Sequence, residues 1–392
     1  MSLSRRRFGF GLCGCTALAL LGCATAPPRT DERGFVEPKY RPQPESDEKG
    51  LWSLMDRAER ELARSRFVVR EREVNEYIRA VTCRLSDAHC ADLRAYVVRT
   101  PLFNASMAPN GMMEVWTGLL LRCRDEAQLA AVIGHEMGHY LRRHTLERWR
   151  DVRSKSDISA FLGLGLAAAG AGWAATVTDL ALLASVFAFN REQEREADAI
   201  GVELMAQAGY APLAAAEIWG QLIAELKAST GKPQGNVFFA THPEPQERLE
   251  AIRRLAEQRG GNAGERGRDR HRAGLRSIRA MLLEDELSLR QYGRSEIVIE
   301  QLLAEAPDDG ELWFAKGEVY RLRWDEGDAQ RALAAYERAV NAGGAPPEVH
   351  RSLGLVALKT GDRAQAKQAF ETYLRVKRDA PDREAIHTLL AQ

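Results

Sequence analysis

The sequence predicts an α+β domain with a small β-sheet, followed by an all-α domain built from paired helices. Two short segments, LRAYVV at 93–98 and MMEVWTG at 112–118, are β-branched or aromatic and are bounded by turn residues, which is typical of strands. A helical pattern of apolar residues runs from Leu51 to about Tyr77, and another helix begins after Asp125. Towards the C-terminus the pattern consists of helix pairs alone.

The composition is that of an ordinary soluble globular protein. The chain has 392 residues, of which 45% are hydrophobic and 28% are charged. Lys and Arg total 55, as do Asp and Glu, so the charge balance gives no indication of a nucleic-acid partner. Changes in composition predict five parts: a signal peptide at 1–22, a disordered tether at 23–50, an α+β domain at 51–256, a linker at 257–272 and helical repeats at 273–392.

The N-terminus has the pattern of an export signal. Three consecutive arginines at 5–7 precede an apolar run at 8–21 that is too short to span a bilayer and is typical of a secretory signal. The arginines resemble a bacterial twin-arginine signal, and Leu-Leu-Gly-Cys at 20–23 resembles a lipobox in which Cys23 is acylated. Ala24 in place of Asp indicates sorting to the outer membrane of a Gram-negative cell. We therefore expect an exported, periplasm-facing lipoprotein; the alternative is a plain cleaved signal with an incidental cysteine.

Cysteines and a long apolar stretch bear on the compartment. Cys83 and Cys90 have the spacing of a short-loop disulfide in an oxidising space, which leaves Cys123 as a buried thiol. The stretch 158–178 is uncharged and long enough to span a membrane, but it consists mostly of Ala and Gly and lacks a positive flank. We expect a buried or membrane-apposed helical hairpin there, with a true span as the alternative.

The clearest chemical signal is the motif HEMGH on the helix after Asp125. His135 and His139 lie one turn apart on one face, so both imidazoles can reach one zinc ion at about 2.0–2.1 Å. Glu136 lies next to the first of them and is placed to act as general base toward a water molecule that the metal activates. We expect His89 and His144 at the surface, because neither falls on the face of the ligand pair.

A catalytic zinc site needs a third protein ligand. Arg142 and Thr145 exclude a metzincin, which has Gly and His at these positions. The acidic segment FNREQEREADAIG at 189–201 is the evident supplier. Spacing alone does not choose between its two i,i+4 carboxylate pairs: Glu192 with Glu196, and Glu194 with Asp198.

HEMGH followed by the downstream EREAD resembles the metallopeptidase family of the CaaX prenyl protease and the heat-shock protease HtpX. The resemblance covers about 51–256 and implies a gluzincin-type domain that binds one Zn²⁺ per chain. It implies that Glu194 is the third ligand. It also implies that Asp198 holds a ligand histidine by a hydrogen bond, which fixes the tautomer of that histidine.

Two further segments match the family. FNASMAPNGMMEVWTGLL at 103–120 resembles a segment whose extended part borders the cleft. This implies that four residues offer backbone to an extended substrate by strand addition: Asn104, Ala105, Ser106 and Met107. THPEPQERL at 241–249 resembles the family's HP…R motif, which implies that His242 lies over the zinc, either stabilising the oxyanion or capping the metal at rest. Arg248 would be its companion.

The C-terminal part resembles tetratricopeptide repeats. In such repeats a small residue lets two helices cross closely and an aromatic residue fills the gap between neighbours. An earlier, degenerate unit is expected at about 276–306. The residues that match the template are Trp313, Gly317, Tyr320, Ala332, Tyr336 and Ala339 in one unit, and Leu353, Gly354, Ala357, Gly361, Ala366, Phe370 and Tyr373 in the next.

The resemblance implies a zinc-dependent endopeptidase of the bacterial cell envelope that degrades misfolded or stalled outer-membrane proteins. Its substrates would be unfolded or misassembled envelope proteins, and its repeats would recruit them or an outer-membrane assembly machinery. A lipid anchor would hold it at the membrane. Two alternatives stay open: a chaperone or assembly scaffold whose protease site is normally shut, and a processing peptidase of narrow specificity.

Overall fold

The computed structural model describes residues 31, 34–153, 188–228, 237–243 and 245–390. The predicted signal peptide, Cys23 and the apolar stretch 158–178 lie outside the described residues. Within the described ranges, no helix is both long enough and apolar enough to cross a membrane.

A three-stranded sheet forms the β part of the first domain. Its strands are β1 (Arg94–Val98), β2 (Ala105–Met107) and β3 (Met112–Trp116), in the order β1-β3-β2. β1 runs parallel to β3, whereas β2 runs antiparallel to it and lies at the edge. β2 is too short to show the alternation of a strand, which is why the sequence indicated only an extended segment there.

The helical pattern before the sheet is two helices, not one. α1 (Asp47–Arg64) and α2 (Arg72–Leu85) are separated by a segment that adds to the end of β1. The Val69 amide donates to the Val97 carbonyl at 2.9 Å, and the Arg99 amide donates to the Phe67 carbonyl at 2.7 Å. Because this segment pairs with a strand, the helix cannot continue through it.

The second half of the expected tether is packed against the domain, which corrects the expectation of disorder for residues 34–50. Val36 is only 4% exposed, and its amide donates to the Leu141 carbonyl at 3.0 Å. The Lys39 amide donates to the Asp92 carboxylate at 2.6 Å. A polar and proline-rich composition therefore did not prevent order, because backbone groups of the segment find partners on the folded domain.

The remaining elements among the described residues are helices. After the sheet come α3 (Thr117–Arg122), α4 (Glu126–Leu141), α5 (His144–Arg153), α6 (Arg191–Gln207), α7 (Leu213–Ala228), α8 (Val237–Thr241), α9 (Pro245–Gln258) and α10 (Arg268–Leu275). The C-terminal part consists of α11 (Arg279–Ser288), α12 (Tyr292–Glu305), α13 (Gly310–Arg323), α14 (Asp328–Ala342), α15 (Glu348–Thr360), α16 (Arg363–Val376) and α17 (Arg383–Leu390). The fold class expected from the sequence is confirmed.

The C-terminal helices pack in pairs, as expected for repeats. In the pair α13–α14, a Cβ placed on Gly317 would overlap the ring of Tyr336, and in the pair α15–α16 one on Gly354 would overlap the ring of Phe370. The glycine and aromatic positions read from the sequence are therefore the points of closest helix approach. α11 and α12 occupy the region of the expected degenerate unit.

The segment between α9 and α10 is fastened to the first domain. The Arg266 side chain donates to the Asp125 carboxylate at 2.7 Å, and the Glu265 amide donates to the Gly209 carbonyl at 2.8 Å. The apolar core of the α+β domain also continues into α11–α13 through residues such as Leu283, Val298 and Val319. The α+β domain and the first helices of the C-terminal part therefore share one core, whereas the later helix pairs have apolar clusters of their own.

Candidate metal centre

The helix α4 places the two motif histidines side by side. It begins at Asp125, whose carboxylate accepts from the Gln128 amide at 2.9 Å, and the whole helix is buried. His135 and His139 are 3% and 1% exposed, and their Nε2 atoms lie 3.1 Å apart. Both nitrogens point to one spot in the interior.

The helix α6 crosses α4 at very short range and brings Glu194 to that spot. A Cβ built on Gly138 would lie 2.8 Å from the Ala197 Cα, and one built on Gly201 would lie 2.9 Å from the His135 nitrogen. At both positions there is room for the hydrogen of a glycine but not for a methyl group. The glycine inside the HEMGH motif is therefore what allows the acidic helix to lie against the histidine pair.

The three side chains fit a single zinc ion. A tetrahedral zinc with bonds of about 2.0–2.1 Å separates its ligand atoms by about 3.3–3.4 Å. Glu194 Oε1 lies 3.5 Å from His139 Nε2, and Glu194 Oε2 lies 3.7 Å from His135 Nε2. Together with the 3.1 Å between the imidazoles, these separations bracket the edge length of such a site, and the carboxylate turns one oxygen toward each histidine. Glu192, which belongs to the alternative carboxylate pair, is exposed and does not reach the histidines.

Asp198 and Arg248 support the first histidine. Asp198 Oδ1 lies 2.9 Å from His135 Nδ1, so the imidazole presents its Nε2 lone pair to the centre. Arg248 donates to both Asp198 oxygens, at 2.9 and 2.7 Å, and also pairs with Glu194. Burial alone would raise the pKa of Asp198, but the Arg248 guanidinium and His135 lower it overall. Arg248 was expected to accompany His242. It pairs with Asp198 and Glu194 instead, because their negative charges compensate its buried positive charge.

His242 occupies the fourth corner of the site. Its Nδ1 lies 2.9 Å from Glu194 Oε1, which is a hydrogen-bond distance, and 3.2 Å from His135 Nε2. Phe238 of α8 stacks on its ring, with centroids 4.3 Å apart. Burial acts to lower the pKa of His242, but the neighbouring Glu194 and Glu136 carboxylates raise it overall. This contact with the ligand groups favours the cap over the oxyanion role, and both roles stay predictions.

Glu136 has the environment of a general base. It is 2% exposed, and its Oε1 has no hydrogen-bond partner among the described residues. His242 Nε2 lies 3.5 Å from it. Burial raises the pKa of Glu136 to about 7, so the carboxylate can take up a proton near neutral pH.

His144 and His89 are buried, which corrects the expectation that they lie at the surface. His144 is 2% exposed, and its Nδ1 lies 3.0 Å from His139 Nδ1. Arg143, with a φ of 61°, turns the chain between α4 and α5 and brings His144 back toward the motif. Helical spacing gave no signal for this, because a left-handed residue other than glycine is not readable from sequence. His89 is 5% exposed and has a structural place, with its Nε2 2.9 Å from the Val36 carbonyl.

Phe189 is a second residue of the centre that the sequence did not single out. Its ring stacks on His139, with centroids 3.8 Å apart and planes 18° apart. Together with Phe238 it covers the histidine cluster. None of the metal-ligand candidates or Glu136 is more than a few per cent exposed as a result.

The residues expected to contact substrate lie on the edge strand β2 and just before it. Ala105 and Met107 are buried and Ser106 is exposed, and the Asn104 carbonyl accepts from the Trp116 amide at 3.1 Å. Within the described sheet, β2 pairs with β3 on one side only. The other side is a strand edge of the kind that binds an extended peptide.

The cysteines among the described residues form the predicted disulfide and leave the predicted buried thiol. Cys83 and Cys90 form a disulfide between Cα atoms 4.6 Å apart, and Cys123 is a free, buried thiol. The disulfide joins the end of α2 to the loop before β1.

Comparisons with known proteins assign a family to the segment that holds this centre. Residues 69–256 match the model of peptidase family M48. The chain is 35% identical over 158 residues to the mitochondrial metalloendopeptidase OMA1 of Schizosaccharomyces pombe, covering 40% of this chain and 44% of that protein. It is 29% identical over 209 residues to the putative beta-barrel assembly-enhancing protease of Vibrio cholerae, covering 51% and 42%. The Escherichia coli K12 beta-barrel assembly-enhancing protease is 26% identical over 209 residues, with the same coverage.

The chain thus spans less than half the length of these relatives. Within that limit, the expected resemblance to a metallopeptidase family is confirmed, and the chain is also similar to beta-barrel assembly-enhancing proteases. Residues 69–256, with their buried histidine pair and downstream carboxylate, are therefore a metallopeptidase domain of family M48.

Proposed function

We propose that this protein is a zinc-dependent endopeptidase of the bacterial cell envelope that cleaves misfolded or stalled proteins. One observation carries the proposal: His135, His139 and Glu194 present three buried donors at tetrahedral separations, with the uncommitted carboxylate of Glu136 beside them. Zinc bound by these donors would supply a Lewis acid that makes water nucleophilic near neutral pH.

The residues of the chain have separable tasks in this reaction. Glu136 accepts a proton from the attacking water and passes it to the leaving amine, which its raised pKa suits. Asp198 and Arg248 hold His135 in the tautomer that binds metal. His242 leaves the fourth corner when water and substrate enter, because its Nδ1 lies where they must bind.

The edge strand β2 supports a preference for extended, unfolded chains. Strand addition uses backbone hydrogen bonds, so it recognises conformation more than sequence. The relatives named as beta-barrel assembly-enhancing proteases support envelope proteins as substrates, and the predicted export signal with Cys23 supports a lipid-anchored location facing the periplasm. The helix pairs α13–α16 would recruit the substrate or an assembly machinery.

Replacement of the proposed base tests this function. Glu136→Gln should keep stoichiometric zinc and lose cleavage of casein, because the amide cannot accept the proton. Glu192→Gln is the matched control, since Glu192 lies exposed on α6 and should leave both properties unchanged. Cleavage by a zinc-loaded Glu136→Gln variant, or a wild-type protein without stoichiometric zinc, would refute the proposal.

A second candidate function is favoured by the burial of the centre. With His242 in the fourth corner and Phe189 and Phe238 over the imidazoles, the site is shut, which suits a chaperone or assembly scaffold that rarely cleaves. Complementation of a deletion strain separates the two functions. Rescue by Glu136→Gln equal to wild type would favour the scaffold, and failure of that variant to rescue would favour proteolysis.

A further inference from the structure

The second histidine of the motif has a support of its own that ends in a carboxylate. His139 Nδ1 lies 3.0 Å from His144 Nδ1, and His144 Nε2 lies 3.0 Å from Glu196 Oε2. Arg142 Nε lies 2.8 Å from the other oxygen of Glu196. The contacts form a row of polar groups that leads from the metal ligand to the protein surface.

The placement of protons along this row follows from metal binding. His139 can bind zinc through Nε2 only if its single proton is on Nδ1. That proton is then donated to His144 Nδ1, so His144 carries its own proton on Nε2. Glu196 accepts this second proton in a hydrogen bond. With His139 bound to zinc through Nε2, a proton on His144 Nδ1 would instead face the proton on His139 Nδ1.

The fold holds His144 in place from the other side. Arg143 adopts a left-handed conformation, which is unfavourable for a residue other than glycine. Its guanidinium pairs with Glu48 and lies over the ring of Tyr40, 5.1 Å from the centroid. Leu146, next along α5, packs against Leu51 of α1. The strained turn is thus retained by contacts that also fix the first residue of α5.

We infer that His144, oriented by Glu196, is a positioning residue that fixes the ring and tautomer of His139 for metal binding. The inference rests on the proposed zinc site. It gives the two imidazole ligands equivalent supports, because Asp198 holds His135 directly and Glu196 holds His139 through His144. All the carboxylates involved, including the ligand Glu194, belong to α6, so one helix aligns the entire centre.

The test is zinc affinity of the full chain, measured by competition with a chromogenic chelator. His144→Phe fills the same space without a hydrogen-bond acceptor and should weaken zinc binding about 10- to 100-fold. His144→Asn places an amide oxygen near the position of Nδ1 and should recover most of that loss. His271→Phe is the control, because His271 is also buried but contacts Tyr77 and the Cys123 carbonyl away from the site.

A surface substitution keeps the test informative if His144→Phe does not fold. Glu196 is 39% exposed, so Glu196→Leu should fold and should weaken zinc binding by a smaller factor than His144→Phe. Glu192→Leu, at an exposed position of the same helix, should not weaken it. The inference is overturned by wild-type zinc affinity in a folded His144→Phe or Glu196→Leu variant, or by a His144→Asn variant as weak as His144→Phe. Absence of zinc from the wild type would instead refute the proposed function.

Discussion

The crossing of α4 and α6 gives the sharpest quantitative prediction, because a single methyl group would disturb it. In Gly138→Ala the new Cβ would lie 2.8 Å from the Ala197 Cα. Ordinary carbon contacts are about 3.5–4.0 Å, so the helices must separate by about 0.7–1.2 Å. Zinc–ligand distances tolerate only about 0.2 Å, and Glu194 lies on the helix that moves. We therefore expect weaker zinc binding together with a less stable fold.

The cost in stability can be isolated with a second variant. Overpacking costs about 1–3 kcal/mol, but alanine in a helix interior returns about 1 kcal/mol relative to glycine. Gly220→Ala on α7 measures the second effect alone, because nothing lies within 4 Å of a Cβ built there. Urea unfolding of the zinc-free variants should place Gly138→Ala about 1–3 kcal/mol below Gly220→Ala. If the two variants were equally stable, or if Gly138→Ala bound zinc as tightly as wild type, the close crossing of α4 and α6 would not be what positions Glu194.

Two further predictions concern the cap and the acid stability of the fold. His242→Ala should retain zinc through the other three ligands and cleave casein faster than wild type, because the fourth corner is open; slower cleavage would show that His242 stabilises the oxyanion instead. Glu59 accepts from Arg94 at 2.6 Å, and although burial alone raises the pKa of Glu59, Arg94, Tyr96 and Asn110 lower it overall. A lowered folded-state pKa contributes stability above the unfolded pKa of about 4.3 and loses it as the pH falls further. In urea unfolding, Glu59→Gln should therefore be less stable than wild type at pH 7 and approach it toward pH 3; a gap independent of pH would contradict this assignment.

The parts of the centre that the sequence predicted are those that local spacing encodes. His135, Glu136 and His139 lie on one helix, and the start of that helix is marked by Asp125, so their mutual geometry needs no tertiary information. Glu194 is different, because spacing left it equal to Glu192. Only the packing of α6 against Gly138 buries one of these carboxylates and leaves the other in solvent.

The residues that the sequence misplaced depend on features without a local pattern. His144 reaches His139 through a left-handed arginine, and Val36 is ordered by a carbonyl at the far end of α4. Arg248 of α9 pairs with two carboxylates of α6, which only the packing of these helices brings within its reach. In each case the position of the residue follows from long-range packing, which composition and periodicity do not encode.

The packing between the two parts constrains how the repeats can serve the peptidase. Arg122 is buried and pairs with Glu225 of α7 at 2.7 Å and with Glu286 of α11 at 2.9 Å. Removing one partner of a buried ion pair costs about 3–5 kcal/mol, so moving α11 away from the first domain would carry a comparable cost. The shared apolar core adds to that cost. Under the proposed function, we therefore expect a substrate recruited by the repeats to reach the edge strand without a hinge motion between α11 and the first domain.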